Sequence, residues 1–446
     1  MRLWWWLCAV LCLLSSPPAF STKIVVNLEQ AIQTALKKNP EIREADILVG
    51  VSEGQLEEAK AAQYPKIETL SFMAPIFRIT GNALDSSRFT DIWGYYFKSE
   101  GKGYIPLYTW NKISSFKEAA RNKIIVDKNK TKETINEVIF KVKEYFYTYQ
   151  LAWTLSKEGK DLLDKVEKVI KKAQEHVEKE TGEVTRVDLY KLRVFHAAGL
   201  AKLNKAVIGQ DLTKSALAMQ IGYDANSDID IEKHKISQDL SPMKDLSFYT
   251  NLALQHRPEM QQLKHGLAAR DALVRAEKAN YFPMIALGGA YDIGESNVVE
   301  DQYSYFAHDP YNISRFGAAI AFKWDIDFFT TKAKVKQKRA EHDALIAKNE
   351  YAVRGIPMQV KKAFLQAKEY EKNIGYAREG KKNADKWFLN AGFGTAFGLG
   401  EVKDTLEGGA AAAMMLKDYY QAIFDYNMAL SELSKVTGIE VTQLKY

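Results

Sequence analysis

The chain has 446 residues, with 62 basic and 56 acidic side chains and a formal charge of +6. That length accommodates two or three ordinary domains or one large elongated one. So slight a charge excess, with lysines and glutamates mixed through the middle of the chain, excludes the basic block of a nucleic-acid binder and reads as solvated helix faces.

The first segment is MRLWWWLCAVLCLLSSPPAFS: Arg2, an apolar stretch from Leu3 to Leu14, then small residues and prolines. About 12 apolar residues suit a secretory signal and are too few to span a bilayer of roughly 30 Å. Residues 1–21 are therefore expected to be a signal peptide, cleaved between Pro18 and Ser21. Cys8 and Cys12 are the only cysteines, so a processed chain would carry no thiol and no disulfide. Leu11 stands where a lipoprotein signal needs a small residue, which argues against lipidation. Farther on, no apolar run approaches 18 residues. An exported chain of this kind is periplasmic, secreted, or held in a membrane as a β-barrel.

Next comes a helical run fenced by prolines, NPEIREADILVGVSEGQLEEAKAAQYP, from Asn39 to Pro65. Pro40 suits a first helical turn, and Pro65 ends the helix where a strand begins. Two strands are expected at about 67–78 and 92–108, the second rich in Trp93, Tyr95, Tyr96, Phe97 and Tyr104. From Ile113 to about Glu180 the chain has no proline and few glycines, which predicts a helix of about 100 Å at 1.5 Å per residue. Runs of this length are coiled coils or helical bundles. It breaks at KETGEVTRVDL, Lys179 to Leu189, and returns as a helix ending near Gly222. The polar segment 223–245 is a link, because the pattern then starts again.

The second half answers the first at a constant offset of 218 residues: Pro40 with Pro258, Glu41 with Glu259, Lys60 with Lys278, Pro65 with Pro283. An offset this long marks an internal duplication, not a solenoid. Repeats are thus expected over 22–222 and 246–446. After Pro283, MIALGGAYDI alternates large apolar residues with small ones, and FGAAIAFKWDID does the same, predicting strands at about 284–294 and 314–327. Large apolar residues on one side and small or charged ones on the other is the pattern of a lipid-facing barrel strand, although a soluble sheet with one buried face also alternates. Four strands cannot close a barrel, since eight is about the minimum, so an oligomer would have to share one. A second long helix is expected from Thr331 to about Asn390, interrupted only by Pro357. It breaks at GFGTAFGLGEVKDTL, with a tip near 392–400, and returns to Gly438. Both tips place an aspartate six residues after a glycine, Gly182 before Asp188 and Gly398 before Asp404.

GFGTAFG is a poor dinucleotide loop, because Phe397 occupies the third glycine position and a helix precedes it. Turn glycines at a hairpin tip explain it more simply. The seven histidines are scattered and no pair has metal-ligand spacing. No nucleophile motif appears, so neither catalysis nor a metal or cofactor is expected. Asp188, Asp404 and Glu407 sit just past the tips, where a carboxylate stabilises the first turn of a helix. Gathered around an axis by several chains, they would also form a cation-favouring acidic ring.

Taken in order, LEQAIQTALKKNPEI, the strand entries at Tyr64–Pro65 and Tyr281–Pro283, the two tips and FKWDIDFF resemble the TolC-type outer-membrane efflux channel family over almost all of the chain after residue 21. The resemblance implies a mainly helical fold with a membrane β part. In it, three copies give four strands each to one 12-stranded barrel, and long antiparallel helical hairpins form a periplasmic α-barrel. It implies a passive exit duct of a tripartite efflux or type I secretion system, with a periplasmic adaptor and an inner-membrane pump as partners. It also implies a periplasmic gate at Asp188, Asp404 and Glu407 with the basic Arg186 beside it. Adaptor contacts would lie at Gly182, Glu183 and Val184, and at Gly398, Leu399 and Gly400. Pro40, Pro65, Pro258 and Pro283 would mark the helix and strand junctions, and the link an equatorial belt. Two departures stand out: the second tip is about two residues longer than the pattern, and Gly400 occupies a place where a gate arginine can stand. Two rival readings are a periplasmic coiled-coil adaptor or scaffold and an exported enzyme with a helical domain. Two hairpins with lipid-type strands speak against the first, and the lack of a catalytic constellation against the second.

Overall fold

Elements recur at the spacing set by the prolines. In a computed structural model, which describes residues 24–81, 85–181, 184–303, 306 and 308–443, α1 (Leu28–Lys38) and α2 (Pro40–Ala61) lead into β2 (Lys66–Gly81). In the second half α5 (Leu246–His256) and α6 (Pro258–Lys278) lead into β5 (Met284–Ser296). Each second element begins 218 residues after its counterpart. Between them run β1 (Ile24–Val26), β3 (Ser86–Tyr108), α3 (Lys112–Glu178), α4 (Arg186–Gln220) and β4 (Ile229–Ile231). The chain ends with β6 (Ile313–Lys323), α7 (Phe328–Ala396) and α8 (Val402–Thr437). The expected signal peptide, 1–21, lies outside the described residues.

Two compact units share these elements. The first comprises Met1–Asp46, Lys130–Met260 and Tyr351–Tyr446; the second comprises Ile47–Asn129 and Gln261–Glu350.

The first unit is helical, and its interior falls into four apolar clusters. One joins β1, α1 and β4 to α3 and α4 through Val138, Val142, Phe146, Leu217 and Ile229. β1 and β4 pair in parallel, Ile24 opposite Ile229, so the segment after α4 is tied back to the start of the chain. Asn27 caps α1 with a capping box, accepting from the Gln30 amide at 2.9 Å. A second cluster joins α7 and α8 through Ile374, Ile423 and Tyr426, and a third sits where α5 meets them, at Tyr249, Val360 and Leu433. The fourth lies at the hairpin tips. α8 stops at Gly438, whose left-handed φ of 75° is one that a side chain would strain.

The second unit holds a four-stranded antiparallel sheet in the order β2-β3-β5-β6. β2 and β3 reach beyond the expected spans because their pairing resumes after a register shift between Phe77 and Arg78 and runs on to Gly81 opposite Ser86. β6 is shorter than expected and stops at Lys323. Beyond it, Asp327 accepts the Thr330 amide at 3.0 Å, so Trp324 to Asp327 form the entry to α7 and not sheet.

Candidate functional site

Strand register sorts the sheet into two faces. Ile67, Met73, Phe97, Ile105, Ile285, Leu287, Tyr291, Ile293, Phe316, Ile320 and Phe322 share one face, and on β6 these side chains are bare: Phe316 is 85 % exposed, Ile320 65 % and Phe322 70 %. The other face carries the charges. Lys98 lies 3.0 Å from Glu100 and 3.8 Å from Asp292, and Lys102 lies 3.9 Å from Glu68. On β5 and β6 that face also carries Arg315 and Lys323, and between them it is small, with Ala286, Gly288, Ala290, Gly317, Ala319 and Ala321; on β2 it includes Leu70 and Phe72. An exposed apolar face opposite a charged, small-residue face suits lipid on one side and water on the other. Both edges, β2 and β6, are left without a partner strand among the described residues, apart from Ile79 near the end of β2, whose backbone bonds Val298 and Glu300. Long bare edges invite pairing with another chain.

Each strand of the sheet meets a helix at aromatic residues. Tyr64 and Pro65 precede β2, Trp110 follows β3, Tyr281 to Pro283 precede β5 and Trp324 follows β6. The Trp110 indole stacks on Phe282 at 4.6 Å and donates to the Pro283 carbonyl at 2.8 Å. Pro40 and Pro258 each open a helix, α2 and α6, where a missing amide hydrogen costs nothing.

The hairpin tips belong to the first unit, and the structure brings the two together. Val166, Ile170, Ala173 and Val184 from the first hairpin cluster with Ala384, Phe388, Val402 and Ala412 from the second. Asp188 and Asp404 each occupy the third position of a returning helix, α4 and α8. Asp188 completes a capping box: its amide donates to the Thr185 hydroxyl at 3.2 Å and its carboxylate accepts the Thr185 amide at 3.3 Å, while the same hydroxyl donates to that carboxylate at 2.7 Å. That hydroxyl bond, with Lys191 at 3.0 Å, outweighs partial burial and holds the Asp188 carboxyl below its usual range. Asp404 is exposed and its helix has no side-chain cap. Glu407, also exposed, lies 4.0 Å from Lys403. Arg186 opens α4 and is exposed. Of the expected adaptor-contact residues, Gly182 and Glu183 lie outside the described residues, and Val184 is buried in the tip cluster.

The second tip differs from expectation. Gly392 and Gly394 remain helical, and the turn is confined to Phe397–Glu401. Only Gly398 there has a left-handed φ, 72°. Gly394 and Gly400 instead let two backbones meet: a Cβ on Gly400 would fall 2.9 Å from the Gly394 carbonyl carbon.

Two tip contacts had no sequence signal. His176, at the end of α3, donates from Nε2 to the Ala396 carbonyl at 3.0 Å and accepts from Thr181 at 3.1 Å, a tautomer set by the carbonyl, which can only accept. Thr395 and Thr405 share a buried hydroxyl hydrogen bond of 2.8 Å. Among the described residues no group of His, Cys, Asp or Glu could hold a metal, and no helix is long and apolar enough to cross a membrane.

Comparison with known proteins agrees with this architecture. Residues 250–438 match the outer membrane efflux protein family, a family of channels and not of enzymes. No curated protein matches the chain. Among solved structures, the outer-membrane channel OprN is similar with a TM-score of 0.77 at 14 % identity, covering 93 % of this chain and 90 % of its own. The CmeC outer membrane channel of Campylobacter jejuni gives 0.76 at 15 %, covering 92 % and 85 %. The outer membrane protein VceC of Vibrio cholerae gives 0.76 at 13 %, covering 92 % and 96 %. The resemblance read from the sequence therefore holds: the second half carries the family's sequence pattern, and nearly the whole chain has the fold of these channels.

Proposed function

We propose that this chain is one subunit of an exit duct in the outer membrane, a passive channel through which a partner pump expels its cargo. The observation that carries the reading is the open four-stranded sheet, apolar on one face and charged on the other, whose edges β2 and β6 have no partner strand among the described residues beyond a bridge at Ile79. Membrane strands require every backbone group to be bonded, so the edges need further copies to close a barrel. Three copies, each giving four strands, make twelve. Helices of 67 and 69 residues, α3 and α7, are about 100 Å long at 1.5 Å per residue and suit a water-filled compartment.

In this reading Asp188, Asp404 and Glu407 of the copies ring the narrow helical end, with Arg186 beside them. Leu399 and Gly400, together with Gly182 and Glu183, meet a periplasmic adaptor that couples the duct to an inner-membrane pump, whereas Val184 and Gly398 are buried within the tip and shape it from inside. The duct itself performs no catalysis; it supplies water, width and charge, and energy enters at the pump.

Fractionation separates this reading from that of a periplasmic adaptor. The chain is expected to stay with purified outer membrane through a high-salt wash and to be released only by detergent. Release by salt alone would favour the adaptor.

A further inference from the structure

The sheet order fixes which helices must become neighbours when copies join. β6 and β2 are its two free edges. α7 follows β6, and α2 precedes β2. Wherever β6 of one copy pairs with β2 of the next, α7 of the first stands beside α2 of the second, the two running antiparallel.

These two helices present unpartnered faces of opposite character. Thr331 and Val335 are buried on one side of α7. That side faces α6, through Arg270 with Glu341 and through Leu345 against Gly266. On the opposite side, at 100° per residue, Phe329, Lys336 and Ala340 are exposed, with Lys332 exposed on the flank beside them. From Phe328 to Arg339 the helix carries Lys332, Lys334, Lys336, Lys338 and Arg339 and no acid. In α2, Val49 and Ser52 are buried toward α3, where Ser52 bonds Asp127 and Glu53 pairs with Lys128. Opposite them Ile47, Val51 and Glu58 are exposed in one row, with Leu48 beside it. Over 47–61 acids exceed bases, Glu53, Glu57 and Glu58 against Lys60. Among the described residues Glu58, Lys332 and Lys336 have no ion-pair partner.

We infer that these faces form the seam between adjacent copies: the basic start of α7 on one copy docks against the apolar and acidic face of α2 on the next. Glu58 stands eight residues before the first residue of β2, Lys66, and Lys332 nine residues after the last of β6, Lys323. The opposite charges therefore lie at the same level beneath the sheet. Beyond them, Val51, Leu48 and Ile47 reach the level of Ala340, Ala344 and Ala347, small exposed residues against which branched side chains pack. The charge pairing selects the partner and its register, and the apolar row supplies the buried area. A neighbour in the reverse order would set the basic α7 against another copy's α7.

The inference rests on the ring of copies proposed above, and the test keeps the two apart. No cysteine occurs after Cys12, so Glu58→Cys with Lys332→Cys in outer-membrane vesicles can be bridged by a short bis-maleimide, with the unsubstituted chain as control. Covalent dimers and larger oligomers are expected from the double variant and from neither single one. Lys332→Glu with Lys336→Glu is expected to lower the detergent-stable oligomer at least fivefold, and Glu58→Lys added to it to recover most of the loss. Stable oligomers without cross-links, and unchanged by the charge reversal, would overturn the seam and leave the duct standing. A wild-type chain that is monomeric in the membrane would overturn the duct.

Discussion

His176 at the end of α3 donates to the carbonyl of Ala396 at the end of α7, 220 residues away, at 3.0 Å. This bond joins the first hairpin to the second where both turn back. With the Thr395–Thr405 pair, it holds the tips of one copy as a unit. His176→Ala removes a donor and an acceptor, each bond contributing about 0.5–1.5 kcal/mol. It is expected to loosen the tips and raise pore conductance severalfold, read as single-channel current; a current equal to wild type would show that the tie does not restrain opening.

Neutralising the exposed acids has a different signature. Asp404→Asn with Glu407→Gln should reduce cation preference and relieve block by divalent cations while leaving thermal stability nearly unchanged, because neither side chain caps its helix. Reversal potentials in a salt gradient check this. Asp188 behaves otherwise because its carboxylate completes a cap. Its folded pKa is lowered, so its contribution is fully present above the unfolded value of about 3.9 and is lost as pH falls through the folded value. Hydrogen exchange at the start of α4 should therefore accelerate below about pH 4 in wild type but not in Asp188→Asn, which is already weakened at neutral pH.

The two sheet faces predict opposite responses on a single strand. An arginine in place of Ile320 on the apolar face should cost about 2–4 kcal/mol at mid-membrane depth. An arginine in place of neighbouring Ala319, which faces the charged side, should assemble normally and narrow the conductance. Folding yield into vesicles and single-channel current distinguish the two, and equal penalties would refute the face assignment.

Lys143 is nearly buried and pairs with Glu440 just beyond α8. Burial pushes the Glu440 carboxyl up, but Lys143, Thr442 and Ser434 together outweigh it and lower its pKa. Stability from this group is present above the unfolded value of about 4.3 and declines as pH falls through the folded one. Glu440→Gln leaves an unpaired buried ammonium and should destabilise the first unit by roughly 3–5 kcal/mol, measurable by denaturant unfolding.

Much of the fold was legible because strong local signals coincided. Pro40, Pro65, Pro258 and Pro283 marked their own junctions, and the alternation after Pro283 showed the two faces of β5 and β6. The shared place of Asp188 and Asp404 in the first turn of α4 and α8 was legible because six-residue spacing from a glycine survives in sequence. Long-range pairing was not legible. Nothing near His176 announces Ala396, and the partners of Lys98 and Lys143 depend on strand register and helix packing. The second tip misled because a run of glycines looks like a turn, whereas Gly392 and Gly394 stay helical and Gly394 lets Gly400 approach.

A duct requires that copies of this chain enclose a water-filled path across a membrane. Planar-bilayer recording of the purified chain tests it most directly. A small, cation-preferring conductance is expected, growing when His176→Ala loosens the tips. No conductance, in either wild type or the loosened variant, would contradict it.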